Sequence, residues 1–542
     1  MIVLPLVSFP LLYAETHYRF KYFFSFLKKN EPEILADIPH RLEPDAALPV
    51  LLLVKDSHRY PVELKHVTIE IQQEGKQIYA RKNDLSSHVT KELWWKIISI
   101  PFNDRLSNIF GFIDVDVYFD YAVDGEHHSA KNDNYKGSSK TSLRVYRSAY
   151  PLPSFAGWFQ GDTHTHSSYT NDQVEFGSPI EASVELSKAM GLSFFCVADH
   201  SYDLDDRIDN YLINDPEIPK WKLQQKQIDE INSHQNDFAV LRGEEVSCFN
   251  HARRNVHLLL WGTTKYFRGS GDGAEHWFHT TAEHTITDIL LNKGLNVVAY
   301  AGHPTEPTPF FQWLLINRGK WNLDDMDQSG LAGLQILNGD ADEAFLHGLE
   351  CWITLLLRGR KIFIAAGNDA HGNFNRFKQI GIQFFTIREH ERQLFGKMRT
   401  AVGSDSITEA SLLEALQIGR TIITNGPLVI FTIINEFDET AGIGQHICGA
   451  RLQLHVHGIT TEEFGAFYEL KIVSGKIGTE NEVISIRRQF SEIYELDVKI
   501  DLEVHHSQSI SYVRLEGFTK HPAGAIRVDS VTQTRYGFST YE

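Results

Sequence analysis

Cysteine is scarce. The chain has four, Cys196, Cys248, Cys351 and Cys448, and their spacing offers no C-x-x-C pair. That argues against a disulfide framework or a zinc ribbon. Cys196 sits in the apolar run Phe194-Phe195-Cys196-Val197-Ala198, where a buried, inert thiol is expected. Positive charge is also short. Against 70 Asp and Glu there are 52 Lys and Arg, a formal net charge of -18, so the surface repels nucleic acid and anionic membrane. General DNA or RNA binding is therefore not expected. A phosphorylated small substrate stays open, because a local metal cluster can reverse the field inside one pocket. Long apolar runs are missing too, so no transmembrane segment is expected. The first fourteen residues, MIVLPLVSFPLLYA, are apolar, yet no Lys or Arg precedes them and prolines interrupt them at positions 5 and 10. A packed N-terminal segment in a cytoplasmic protein is expected, with export through an atypical apolar segment as the alternative.

At 542 residues the chain exceeds one hydrophobic core. Three parts follow from its rhythm. Residues 1–150 contain short alternating runs such as Val67-Thr68-Ile69-Glu70-Ile71 between polar turns, the pattern of an antiparallel β-sandwich. Over 151–425 strand and helix signals alternate. Ser178-Pro179-Ile180-Glu181 reads as a capping box opening a helix that stops at Gly191. Apolar strands are expected at Phe238–Leu241, Val256–Trp261, Asn296–Tyr300, Gly333–Leu337, Ile362–Ala366 and Ile380–Phe385. This α/β alternation predicts a parallel sheet or barrel covered by helices. Residues 426–542 return to alternating strands and read as a second β-sandwich.

Metal-ligand residue types gather at the strand ends of the middle part. His164 and His166 end the first strand, and residues two apart in extended chain point the same way. Asp172 follows, then His200 in Asp199-His200, Glu245 in Gly243-Glu244-Glu245, His257, His303 after Gly302, and Asp369 and His371 in Asn368-Asp369-Ala370-His371. In a β/α barrel such positions meet at one face. Nine candidate ligands suffice for two or three divalent ions if carboxylates bridge. Mixed imidazole and carboxylate donors suit zinc, manganese or iron. A lone H-x-H is weak evidence, and His455 with His457 is this chain's own example, read as surface strand residues. The ordered series is harder to attribute to chance.

That order resembles the PHP superfamily, named for polymerase and histidinol phosphatase. The stretches Trp158–His164 and Gly419–Pro427 look like its carbaryl-hydrolase-like branch. The resemblance covers roughly Gly157 to Pro427. It implies a distorted (β/α)7 barrel with three metals, flanked here by the two β-sandwiches. By that resemblance His164, His166, Glu245 and Asp369 would serve one ion. Glu245, His257 and His303 would serve a second, and Asp172, His200 and His371 the third. The family's usual Ser-Asp-Gly reads Thr170-Asn171-Asp172-Gln173 here, and alignment favours Glu245 over Glu244. The insertion at about Asp203 to Asn236, with Trp221, has no counterpart.

The expected function is a metal-dependent hydrolase in which Glu245, Asp369 and His303 carry catalysis. A phosphoesterase using a metal-bridging hydroxide on a small phosphorylated molecule leads. A carbamate, ester or amide hydrolase on the same cluster is the alternative, and a non-catalytic metal-stabilised binding protein is the third reading. Asp162 and Asp199 could orient histidine rings or simply serve turns. Arg253 and Arg254 could clamp an anionic group, or form a solvated basic loop. His276, His279 and His284 read as loop residues at an entrance. The flanking domains could support an oligomer.

Overall fold

The computed structural model describes residues 31–103, 106–134, 140–171, 176–271, 281–375, 379–382, 385–388, 393–503, 511–520, 534–535 and 538–539. The N-terminal apolar segment, Asp172, His276 and His279 lie outside them. Among the described residues no helix is long and apolar enough to cross a membrane.

The chain first builds two sheets. Glu33–Asp37, Leu48–Lys55 and Leu93–Ile100 form one, and a six-stranded sheet centred on Val62–Gln73 and Gly111–Val123 forms the other. Alternate residues Val50, Leu52 and Val54 enter the core between them. Leu51 faces the opposite way, into a core shared with the helices Ile180–Ala189 and Pro219–His234. The run Pro49–Val54 is continuously apolar because this sheet is covered on both faces. At the far end, two antiparallel sheets led by Arg451–Ile459 and Ala466–Lys476 enclose Phe431, Leu454, Phe467 and Leu515.

The expected α/β class, with a distorted (β/α)7 barrel at its centre, is not what the chain forms. Among the described residues strand outweighs helix, 46% against 16%, and the middle part divides into two mixed five-stranded sheets. In one, Ala239–Leu241, Phe194–Val197 and Trp158–Thr165 run parallel, followed by antiparallel Arg399–Gly403 and Thr421–Thr424. In the other, Gly243–Phe249, Asn255–Trp261 and Val298–Ala301 are antiparallel, while Gly333–Asn338 and Phe363–Gly367 continue in parallel. The physical reason is connection length. Only residues 250–254 separate Gly243–Phe249 from Asn255–Trp261, enough for a hairpin but not for a helical crossover of a dozen residues or more. The described residues of the strand expected at Ile380–Phe385 join neither sheet; Gln379–Ile382 instead pairs with Phe385–Arg388.

Gly243 is where the chain passes from one sheet to the other. A Cβ there would lie 2.6 Å from the Leu260 carbonyl oxygen and 2.9 Å from that of Val197, so only glycine fits between the two backbones. The helix after Pro179 spans Ile180–Ala189 and ends at Gly191, φ 86°. Its expected capping box does not form, since no side chain caps it. The Asp203–Asn236 insertion becomes a small hairpin, Asp206–Arg207 with Asn210–Asn214, and the helix Pro219–His234. Trp221 there packs edge-on to Tyr266, ring centroids 6.5 Å apart.

Candidate metal centre

The two central sheets are joined at one end by short parallel bridges, Thr165 to Ala370 and His200 to Glu245. His166 N donates to Ala370 O at 2.8 Å, which sets His164 and His166 beside Asp369 and His371. Glu245 N donates to Asp199 O at 3.0 Å, bringing Glu245 beside His200. Gly302 N donates to His257 O at 3.0 Å and places His303 next to His257. Residues two hundred positions apart therefore converge through backbone pairing. His303 and Asp369 have positive φ, 27° and 51°, conformations that cost free energy in non-glycine residues and cluster at functional positions.

Glu245 is the centre of the group. Its Oε2 lies 3.4 Å from His164 Nε2, 3.5 Å from His166 Nε2 and 3.1 Å from His200 Nδ1. Its Oε1 lies 2.5 Å from His257 Nδ1 and 3.2 Å from His303 Nε2. Asp369 Oδ1 is 3.0 Å from His166 Nε2 and 3.5 Å from His164 Nε2. The His371 ring stacks on His166, centroids 4.0 Å apart. Eight of the nine expected ligands are thus brought together, and Asp172 lies outside the described residues. Glu244, one residue along the strand, faces the other way and accepts from Phe267 N and Ser201 Oγ.

Three combinations among the described residues offer ligand atoms close enough to hold an ion. His164, His166, Glu245 and Asp369 form one, as the resemblance implied. The second keeps Glu245 and His257 but takes His200 where His303 was expected. The third joins His166 to His200 and His371. These residues fit a cation on physical grounds. His164 Nε2 and Glu245 Oε2 are fully buried and face each other without a hydrogen bond, a costly arrangement that an ion between them would relieve. Burial opposes charge on Glu245, yet His257 and His164 hold its carboxyl well below the usual range. Burial likewise opposes charge on His164, while Glu245 and Asp369 raise it to about 9. Burial, then His371 and His200, keep His166 neutral, the form that donates a lone pair.

Of the two readings for Asp162 and Asp199, ring support or service to turns, the second describes Asp162. Asp162 accepts from His164 N, Asn368 N and Nδ2, and Gly396 N, so it ties backbone together and touches no ring. Asp199 acts at one remove: the Thr170 hydroxyl donates to it at 2.9 Å and lies 3.4 Å from His166 Nδ1. Gln224, from the insertion, also donates to Asp199 at 2.7 Å. Gln335 was missed. Its Oε1 accepts from His164 Nδ1 at 2.9 Å and from His303 N at 3.2 Å, while its Nε2 donates to Asn338 Oδ1 at 2.9 Å. That directs the His164 Nε2 lone pair into the cluster. Its only sequence signal is a polar residue inside the apolar strand Gly333–Asn338.

Of the two readings for Arg253 and Arg254, a clamp or a solvated basic loop, the contacts favour the loop. The Arg253 guanidinium lies over the Phe249 ring at 4.9 Å. Arg254 lies over Trp313 at 4.5 Å and donates to Asn317 Oδ1 at 2.7 Å. Arg318 instead reaches His257, contacting Nε2 and lying 3.2 Å from Nδ1. Among the rest, His284 accepts through its carbonyl from Phe249 N, and His455 and His457 stand on the Arg451–Ile459 strand outside the cluster. Cys196 is free and buried, its thiol pushed well up by that burial.

No family model matches the chain, and no curated protein does. Among solved structures it is similar to a β-D-mannosidase from Dictyoglomus thermophilum, at 8% identity and TM-score 0.25, covering 95% of this chain and 67% of that one. A Bacteroides uniformis β-glucuronidase follows at 9% identity and TM-score 0.19, covering 94% and 60%. At these TM-scores neither likeness decides the fold or the chemistry.

Proposed function

We propose that the chain is a metal-dependent hydrolase, and within that class a phosphoesterase for a small phosphorylated molecule, with its ligands in the order of the PHP superfamily. One observation carries the reading: five histidine rings aim a nitrogen at the single buried carboxylate of Glu245, within 3.5 Å. A buried charge so surrounded suits a carboxylate shared between cations. Bound divalent ions of zinc, manganese or iron type would supply Lewis acidity and water activated at neutral pH.

The protein's own part is positioning. Gln335 and Thr170 set the His164 and His166 rings, and the Asp369 carbonyl lies 3.1 Å from His371 Nδ1. Asp369, its side chain 17% exposed beside fully buried His164, His166 and Glu245, is the more accessible of the two carboxylates; burial opposes its charge, yet His164 and a hydrogen bond with His166 hold its carboxyl well below the usual range. Ser167 donates its hydroxyl to Asp199 at 2.6 Å rather than to a histidine, so it is not set up as a nucleophile. Water is the expected attacking group.

The test is metal analysis of full-length protein expressed with Mn, Zn or Fe, followed by assay on aryl phosphates beside aryl esters, carbamates and glycosides. Two or three equivalents with phosphatase turnover are expected, both lost in Glu245→Gln. Fewer than two equivalents and no turnover would overturn the reading. Turnover confined to esters or carbamates would move it to the carbonyl alternative.

A further inference from the structure

We infer that Arg318 is the residue that binds the anionic group of the substrate, a phosphoryl group offering two oxygens to the guanidinium, at the edge of the cluster; this rests on the metal reading above. Arg318 lies on a loop of fixed shape. Asn255 N donates to Asn317 O at 3.0 Å, and Gly319 N donates to Asn255 O at 2.8 Å, so the loop is laced to the strand that carries His257. Asn317 takes φ 56°, which asparagine tolerates better than most residues. A Cβ on Gly319 would lie 2.3 Å from Arg254 Cβ, which keeps the backbone close there. The side chain between them is delivered to His257.

Its present contact is one that metal binding must end. A guanidinium only donates, so His257 accepts at Nε2 and carries its proton on Nδ1, toward Glu245. An ion on either ring nitrogen removes that lone pair, because the other nitrogen then holds the proton. The guanidinium gives up this contact and stays beside the divalent charge, which repels it. An anion touching both satisfies the two cations together, and a guanidinium fork matches phosphoryl oxygens in pairs. Arg253 and Arg254 are turned onto Phe249 and Trp313 and do not compete for this role.

The experiment compares Mn-loaded wild type, Arg318→Ala and Arg318→Lys by bound metal per chain, by calorimetric titration with inorganic phosphate, and by KM and kcat on an aryl phosphate. Arg318→Ala is expected to keep its metal and bind phosphate more weakly by on the order of ten- to a hundredfold, with Arg318→Lys between. Unchanged phosphate affinity in Arg318→Ala would overturn the inference. So would loss of metal in step with phosphate, which would make Arg318 a support for His257 only. Wild type that binds phosphate through Arg318 yet turns over no phosphate ester would sink the proposed activity and leave this assignment standing.

Discussion

The amide oxygen of Gln335 lies 2.9 Å from Nδ1 of His164, and the same oxygen accepts the backbone N–H of His303 at 3.2 Å. One neutral side chain thus orients two members of the cluster. Replacing it by Leu removes the acceptor while keeping the bulk. Metal affinity is expected to fall by about ten- to a hundredfold, read by competition with a chromogenic chelator. Gln335→Glu keeps an acceptor and should retain most of the affinity. Equal loss in both variants would show that bulk, not hydrogen bonding, matters there.

Gly367 controls the same ring by its lack of a side chain. A Cβ there would come within 2.6 Å of His164 Cβ and 2.9 Å of His164 N. Gly367→Ala should cost about 1–3 kcal/mol in packing and weaken metal binding although no ligand is replaced. A variant with normal metal content and normal Tm would contradict this.

Arg41 joins three parts of the chain. It is 2% exposed, its Nε pairs with both carboxylate oxygens of Glu463 at 2.9 and 3.0 Å, and its Nη1 donates to Met190 O at 2.7 Å and to Glu43. Arg41→Met strands Glu463 without its partner and should cost about 3–5 kcal/mol, seen as a lowered Tm. Adding Glu463→Leu removes the stranded carboxylate and should restore part of the loss. A double variant no better than the single one would rule out charge burial as the cause.

His40 should give stability an acid limb of its own. Its Nδ1 donates to Phe374 O at 3.1 Å. Burial, and then the Arg399 guanidinium, lower its pKa from 6.5 to about 3. The unfolded chain therefore takes up this proton first. The contribution is complete above about pH 6.5 and is lost as pH falls toward 3, by at most about 1.4 kcal/mol per unit. His40→Gln keeps a donor but does not titrate, so the decline between pH 6 and 4 should flatten. Superimposable profiles would remove His40 from the account.

Residue chemistry and short-range periodicity were enough to place His164, His166, His200, Glu245, His257, His303, Asp369 and His371 at or near strand ends, because alternation and ligand type are written locally. The buried thiol of Cys196 and the helix stop at Gly191 were legible for the same reason. What stayed hidden depends on which distant backbone pairs with which. The hairpin of Gly243–Phe249 with Asn255–Trp261, and the mixed sheets that replaced the expected barrel, follow from partner choice across the chain. Gln335 gave only a polar residue in an apolar strand, and its value arises from a histidine 171 positions away. Of the three arginines, the two nearest His257 in sequence turned to aromatic rings. Arg318, 61 positions from it, reached the site because Asn255 holds its loop. Local sequence determines which groups can bind a cation or an anion; only the long-range pairing decides which of them face one another.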